Sequence, residues 1–147
     1  VEVLGFNSRL DTFQAIVGNW LLPSAVNISD LRISNEKKLD AGLSKISAIT
    51  IPQRHTDMRI VYHLYIVYAQ NRDELLQYCQ QKGIEAKVHY PVPIYKQKAL
   101  GPKTNELTFP ETDSQAKKII SFPCDQHLSN SQIDEMINAV QSFYEKD

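Results

Sequence analysis

Two stretches of the chain carry side chains whose types and positions could bind an anionic or polar ligand. Asn7 and Arg9 directly precede a predicted helix. A helix N-terminus presents unpaired N–H groups and a positive dipole end, and an amide and a guanidinium suit phosphate or carboxylate. His89 and Tyr90 end a predicted strand, and Pro91 stops its continuation. Rigid segments at strand ends often carry binding groups. From position alone, a capped helix start and an ordinary turn remain alternatives.

The other histidines favour structure over chemistry. No two histidines are spaced i,i+4, and no cysteine or carboxylate cluster completes a metal-ligand set, so no metal site is predicted. His63 lies in the middle of an apolar stretch, which favours a structural role for it. His89 is therefore the histidine that we keep as a candidate for ligand binding, with an ordinary turn as the alternative.

The composition is that of an ordinary globular protein. The chain has 147 residues, 42% of them hydrophobic and 22% charged, and a net charge of −1. That length suits one domain, and no charge excess favours a nucleic acid or an anionic membrane as partner. Cys79 and Cys124 have no metal or redox spacing, which predicts a reducing, cytoplasmic setting. The chain begins with Val1 in an apolar run and has no initiator methionine, so we expect a piece of a longer protein.

Hydrophobic periodicity predicts an α+β fold in which a helical arm precedes a small, mostly antiparallel sheet with helices on one face. Helices are predicted from Ser8 to Pro23, over about 24–43, over 71–82, and over Thr112–Lys118 and Asn130–Tyr144. Strands are predicted at Ile46–Pro52, Ile60–Tyr68, Ile84–Tyr90 and Ile119–Phe122. We expect the strand Ile60–Tyr68 to be central, with the last helix packed across it.

Capping patterns predict where these helices begin and end. The predicted cap pairs are Ser8 with Asp11, Asn71 with Glu74, and Ser129 with Gln132. Gly42 and Gly83 are predicted to end the second and third helices.

In their order along the chain, the two polar stretches resemble motifs of a known family. The segment 5–15 matches G-x-N-x-R-[LM]-[DS]-x-x-Q-A, and the segment 89–93 matches H-Y-P-x-P. Between and after them lie H-l-Y-x-v, n-R-x-x-L, G-I and a closing S-[LF]-P-x-x-x-x-L-[ST]. This series is similar to the C-terminal part of the DegT/DnrJ/EryC1/StrS sugar aminotransferases, which use pyridoxal 5'-phosphate. The chain departs from the pattern at Tyr95, where many members have histidine, and at Asp113, where many have glutamate.

The resemblance implies the small domain of fold-type-I pyridoxal phosphate enzymes and a homodimer. Residues 1–45 would be the end of the large domain and a connecting helical arm, and 46–147 the C-terminal small domain. Gln14 and Ala15 would pack at the dimer interface.

The resemblance also implies roles for the polar residues of the two stretches. Asn7 would reach across the dimer interface to the cofactor phosphate, and Arg9 would lie at the substrate end of the same site. His89 and Tyr90 would help to hold the sugar nucleotide or the amino donor.

The implied activity is transfer of an amino group, from a donor expected to be glutamate, to a keto-sugar nucleotide in cell-surface polysaccharide or secondary-metabolite biosynthesis. The family's Schiff-base lysine precedes the first motif, whereas every lysine here follows Asn7. We therefore expect the chain to bind no cofactor and to be inactive alone. Two alternatives remain open: a sugar dehydratase of the same family, in which histidine replaces that lysine, and a stand-alone ligand-binding or regulatory α+β module.

Overall fold

The computed structural model describes residues 10–55, 57–100 and 106–145. Its helices are α1 (Thr12–Leu21), α2 (Ala25–Leu43), α3 (Arg72–Gln81), α4 (Pro110–Lys118) and α5 (Asn130–Tyr144). Its strands are β1 (Ile49–Thr50), β2 (Tyr65–Ala69) and β3 (Ile119–Phe122). Short 3₁₀ turns occupy Leu22–Ser24, Ile94–Lys96 and Lys98–Leu100. The α+β class predicted from the sequence is confirmed.

The three strands form one antiparallel sheet in the order β1-β2-β3. Ile49 pairs with Ala69 at one edge, and Tyr65 pairs with Phe122 at the other. Alternate residues of β2 are fully buried, as expected of a strand with a period of two. The predicted central position of this strand is confirmed.

The strands are shorter than predicted because their flanking backbone groups bond elsewhere. The prediction of strand at Ile60–Leu64 was wrong: Tyr62 has a left-handed φ of 45°, and Arg32 donates to its carbonyl. Of Ile46–Pro52, only β1 is strand, since Ile46 closes a turn with its N–H. The segment Ile84–Tyr90 forms one isolated bridge, between Lys87 and Ser121.

The predicted helices are present, but their caps differ in part. The capping box of α5, Ser129 with Gln132, is confirmed. The first helix begins at Thr12 with Asp11 as its cap, and Ser8, the predicted partner of Asp11, lies outside the described residues. Asn71 precedes α3 in a left-handed conformation and makes no side-chain cap bond, so the predicted pair with Glu74 was wrong.

The two glycines predicted to end helices behave differently. Gly83 follows α3 with a φ of +78°, the left-handed stop that was predicted. Gly42 lies inside the last turn of α2, which continues to Leu43. A Cβ at Gly42 would lie 2.6–2.9 Å from the side chain of Ile137, so this glycine permits close approach of α5.

The core lies between the sheet and helices α2, α3 and α5. Its fully buried members include Leu39 and Leu43 of α2, Leu75 and Cys79 of α3, and Ile133 and Val140 of α5. The main packing partners of α5 are α2 and α3. Buried side chains of α5 and β2 belong to the same core, and the expectation that α5 packs across β2 stays a prediction.

The N-terminal arm is apolar and exposed. Phe13 and Trp20 of α1 are 76% and 77% exposed, and Leu22 and Val26 after it are about as exposed. A helix that is apolar on its outer surface is normally covered. In the part of the chain that the structure describes, no helix has both the length and the apolar character needed to cross a bilayer.

Candidate functional site

His89 and His63 line one cleft, although they come from separate segments of the chain. The cleft has a volume of about 230 Å³, and we call it the histidine cleft. Its polar lining includes Arg32, His63, Lys87, His89, Ser121 and Asp125. The sequence interpretation gave His63 a structural role, whereas the structure places its side chain on the wall of this cleft.

The end of β3 orients His89. The backbone N–H and C=O of Ser121 bond those of Lys87, at 2.8 and 3.0 Å. Two residues further along an extended segment, His89 lies on the same side as Lys87. Its Nδ1 is 3.1 Å from the buried hydroxyl of Ser121. This bond fixes the imidazole ring and leaves Nε2 as the ring nitrogen that can meet a ligand.

Arg32 is a residue of the cleft that sequence reasoning missed. Its Nη1 donates to the carbonyl oxygens of Tyr62 and His63, at 3.1 and 3.4 Å. Its Nε donates to Gln126 at 3.1 Å. The guanidinium therefore holds the segment that carries His63. An arginine within a helix gives no sequence signal for this role, because its partners are distant in sequence.

The charges of the cleft nearly balance. Lys87 Nζ lies 2.5 Å from a carboxylate oxygen of Glu85, and both side chains are mostly exposed. Asp125 also lines the cleft, and its carboxylate accepts from the N–H of His127 at 2.8 Å. Such a lining suits polar hydroxyl groups better than a multiply charged anion, because little positive charge remains uncompensated.

Cys124 also lines the cleft, but it is unsuited to nucleophilic chemistry. Burial raises the pKa of its thiol to about 11. The thiolate is the nucleophilic form of cysteine, so this thiol is neutral and unreactive near pH 7.

Tyr90 lies outside the histidine cleft. Its side chain is 78% exposed, and its ring meets that of His89 edge-on with centroids 6.1 Å apart. Tyr90 lines a separate, mostly apolar pocket of about 400 Å³, together with Pro93, Ala116 and Ile119. His89 and Tyr90 therefore line two different pockets.

The segment after His89 is anchored to α4 by a buried phenol. The hydroxyl of Tyr95 lies 2.7 Å from both carboxylate oxygens of Asp113, and Lys96 Nζ lies 2.7 Å from one of them. The hydrogen bonds from Lys96, and then from Tyr95, lower the pKa of Asp113, which is therefore ionised near pH 7. The ring of Phe109 packs edge-on against Tyr95. This anchor fixes the far end of the segment that begins at His89.

Asn7 and Arg9 lie outside the described residues, but the helix after them is described. The Asp11 carboxylate accepts from the N–H of Gln14 at 2.9 Å, and the side-chain oxygen of Gln14 accepts from the N–H of Asp11 at 3.4 Å. Gln14 is thus a capping residue, which accounts for a glutamine three positions after the cap. Because Asp11 already places negative charge at the helix N-terminus, this helix end by itself does not favour an anion.

Comparisons with known proteins identify the family. The DegT/DnrJ/EryC1/StrS aminotransferase family model matches residues 1–141. The chain is 32% identical over 146 residues to dTDP-3-amino-3,4,6-trideoxy-alpha-D-glucose transaminase of Streptomyces venezuelae, covering 99% of this chain and 38% of that protein. It is 31% identical over 134 residues to UDP-2-acetamido-2-deoxy-3-oxo-D-glucuronate aminotransferase of Pseudomonas aeruginosa, covering 88% and 35%.

Comparison with solved structures identifies the same family. The crystal structure of S. venezuelae DesV in complex with a ketimine intermediate matches with a TM-score of 0.87 and 32% identity, over 98% of this chain and 39% of that one. A DegT DnrJ EryC1 StrS aminotransferase from Brucella abortus matches with a TM-score of 0.83 and 26% identity, over 95% and 37%. The chain thus spans somewhat over a third of the length of these relatives, and it belongs to the DegT/DnrJ/EryC1/StrS aminotransferase family.

Proposed function

We propose that this chain is the C-terminal part of a pyridoxal phosphate aminotransferase. The whole enzyme would move an amino group from a donor, which we take to be glutamate, to a keto-sugar nucleotide in cell-surface polysaccharide or secondary-metabolite biosynthesis. The observation that carries this proposal is that nearly the whole chain aligns with proteins named as transaminases of dTDP- and UDP-linked sugars. In this assignment residues 1–45 are the end of a large domain with its arm, and 46–147 are the small domain.

The proposed substrate residues are Arg9, His89 and Tyr90. His89 is held by Ser121 with one ring nitrogen available, and the near-neutral histidine cleft suits the hydroxyl groups of a sugar. Tyr90 presents an exposed ring beside an apolar pocket, where it could contact a flat or apolar part of the substrate. Arg9 would pair with an anionic group as a charge-assisted donor.

The histidine cleft does not fit the cofactor by itself. A Schiff-base lysine must reach the cofactor as a free amine, and Lys87, the lysine of the histidine cleft, is ion-paired with Glu85 and open to solvent. Pyridoxal phosphate, which the family implies, would supply the electron sink in the full-length enzyme. This chain would contribute Asn7 as a donor to the cofactor phosphate, across the proposed dimer interface.

The exposed arm supports a homodimer. Phe13, Trp20 and Leu22 expose most of their apolar surface, and burying a side chain of this size stabilises a complex by about 1.5–3 kcal/mol. We propose that this face is covered by the remainder of the enzyme and by a second subunit. A reducing, cytoplasmic setting remains our proposal, and the free, buried thiols of Cys79 and Cys124 are compatible with it.

The test is amino transfer by the full-length enzyme. Incubation with glutamate, pyridoxal phosphate and candidate dTDP- and UDP-linked keto-sugars should give 2-oxoglutarate and an amino sugar in equal amounts. Loss of water from the sugar without consumption of the amino donor would instead indicate the dehydratase. Absence of both reactions across the panel would refute the proposal.

The variant His89→Ala tests whether the histidine cleft binds the substrate. His89→Ala should lower kcat/KM about two- to tenfold, the loss of one neutral hydrogen bond, while cofactor absorbance is retained. His55→Ala is the matched control, because His55 is exposed on the loop between β1 and β2, away from the histidine cleft.

A further inference from the structure

The pocket that Tyr90 lines lies between two segments of the chain, and we call it the tyrosine pocket. It has a volume of about 400 Å³ and a mostly apolar lining. One wall is the segment 90–97, which presents Tyr90 and Ile94. The other wall is α4 with the start of β3, which presents Ala116 and Ile119. The shape of the pocket therefore depends on how these two walls are held together.

The first wall is a turn held together by its own hydrogen bonds. The described backbone bonds of this segment are local: Lys96 donates to Pro93 and Gln97 donates to Ile94, both at 3.0 Å. The side chain of Gln97 also donates to the carbonyl of Val92 at 3.0 Å. These bonds make the segment compact, but they do not set its distance from α4. Side chains must set that distance.

One buried side chain of this wall reaches α4. Tyr95 is 6% exposed, and its hydroxyl lies 2.7 Å from both carboxylate oxygens of Asp113, in the first turn of α4. A hydrogen bond to an ionised carboxylate is about twice as strong as a neutral one. Phe109, which directly precedes α4, packs edge-on against the Tyr95 ring with 5.0 Å between centroids. Lys96 also contacts Asp113, but its side chain is 49% exposed, so this ion pair contributes less.

We propose that Tyr95 and Asp113 are a positioning pair, which holds Tyr90 and α4 at the separation at which the tyrosine pocket binds its part of the substrate. In the described structure neither member of the pair lines the pocket, so both act through the walls that they join. The contact between Tyr90 and the substrate rests on the proposed function. The joining of the two walls does not, so the two can fail separately.

Loss of this pair should loosen the pocket and leave the rest of the fold in place. Tyr95 is buried, but it is not part of the core cluster between the sheet and the helices. A wall that is no longer fixed binds the substrate and the transition state less well by the same factor. The expected effect is therefore a higher KM at a retained kcat.

The joining of the walls is tested on the chain itself by NMR, without cofactor or substrate. Tyr95→Phe keeps the aromatic ring and removes only the hydroxyl. We expect it to shift the backbone amides of Tyr90 and Ile119, one on each wall and neither next to the substitution. Asp113→Ala removes the other partner and should shift the same amides. Unshifted amides at Tyr90 and Ile119 in both variants would overturn the proposal.

Tyr144→Phe is the matched control for loss of a tyrosine hydroxyl. The hydroxyl of Tyr144 donates to the carbonyl of Gln70, and neither residue lines the tyrosine pocket. This variant should leave the amides of Tyr90 and Ile119 at their parent positions, even if it lowers the stability of the chain. Shifts at both amides as large as those in Tyr95→Phe would show a general structural effect and refute the positioning role.

The effect on the substrate is tested in the full-length enzyme, with the dTDP- or UDP-linked keto-sugar that it turns over. Tyr95→Phe should raise the KM for that sugar at least about threefold and keep kcat within about twofold, with cofactor absorbance retained. In an Asp113→Ala background the same change should add no further rise, because the bond is already lost. Tyr144→Phe should leave KM unchanged. A parent-like KM in Tyr95→Phe, or effects of the two substitutions that multiply, would refute the proposal. An enzyme that turns over none of the keto-sugars would refute the proposed function instead, and the amide shifts then decide whether the pair joins the walls.

Discussion

The contact between α2 and α5 gives a sharp prediction for Gly42→Ala. An added Cβ would lie 2.6 Å from Cδ1, 2.7 Å from Cγ2 and 2.9 Å from Cγ1 of Ile137. Cγ1 and Cγ2 branch from the same carbon, so no single rotation of the side chain clears both. Overpacking of this kind costs about 1–3 kcal/mol, and the better helix propensity of alanine offsets up to about 1 kcal/mol. We expect a net loss of about 1–2 kcal/mol in the free energy of unfolding.

The assay is urea unfolding of the 147-residue chain, with a double-mutant cycle. Ile137→Ala alone should cost about 2 kcal/mol, the lower end of the usual range, because Ile137 is only half-buried. In the double variant the new methyl group enters the space that Ile137 vacates, so the two losses should not add. The matched control is Gly18→Ala, since a Cβ there meets nothing within 4 Å. A Gly42→Ala chain as stable as the parent, or strictly additive losses, would refute the packing argument.

The other predictions concern ionisation and activity. Burial, and then the neighbouring Asp40, raise the pKa of Glu36 to about 7, so the folded chain holds this proton more tightly than the unfolded chain does; the free energy of unfolding should therefore fall as pH rises from about 4.5 to about 7, and less steeply in Glu36→Gln. The 147-residue chain should show no transaminase turnover, and a borohydride-reducible adduct on one specific lysine would contradict this. In the full-length enzyme, Asn7→Ala should weaken cofactor retention by about 0.5–1.5 kcal/mol, measured by absorbance. Arg9→Ala should reduce kcat/KM by a larger factor, equivalent to about 1.5–3 kcal/mol, and parent-like values for both variants would make these residues structural.

Local signals predicted the parts of the fold that local forces determine. Ser129 and Gln132 form the predicted box because both partners lie within one helical turn. Gly83 adopts the predicted left-handed conformation for a similar reason. The position of β3 follows from its short apolar run before Pro123. Each of these features depends on neighbours in sequence, so periodicity and residue type are sufficient to find it.

The errors arose where distant groups override local preference. The segment Ile60–Leu64 has the composition of a strand. However, Arg32 donates hydrogen bonds to two of its carbonyl oxygens, and Tyr62 adopts a left-handed backbone conformation. Gly42 was predicted to end a helix, yet its role is set by Ile137, which is distant in sequence. No periodicity in one segment can reveal a partner of this kind.

The candidate site, too, was predictable from the sequence only where neighbouring residues determine it. The resemblance singled out His89 as a binding residue, but it could not show that Ser121 fixes its ring or that His63 lies on the same cleft. The resemblance drew attention to the start of the chain through Asn7 and Arg9. The described structure adds that Asp11 already caps the helix that follows them.

The two departures from the family pattern become one feature in the structure. In the sequence, Tyr95 and Asp113 stand separately where many members have histidine and glutamate. In the fold, the phenol of Tyr95 meets the carboxylate of Asp113 at 2.7 Å. A phenol extends further from the backbone than an imidazole, and aspartate is one methylene shorter than glutamate, so the two changes compensate in length. Because this pair joins the segment after His89 to α4, the departures alter how that segment is anchored and give no ground for assigning a different sugar.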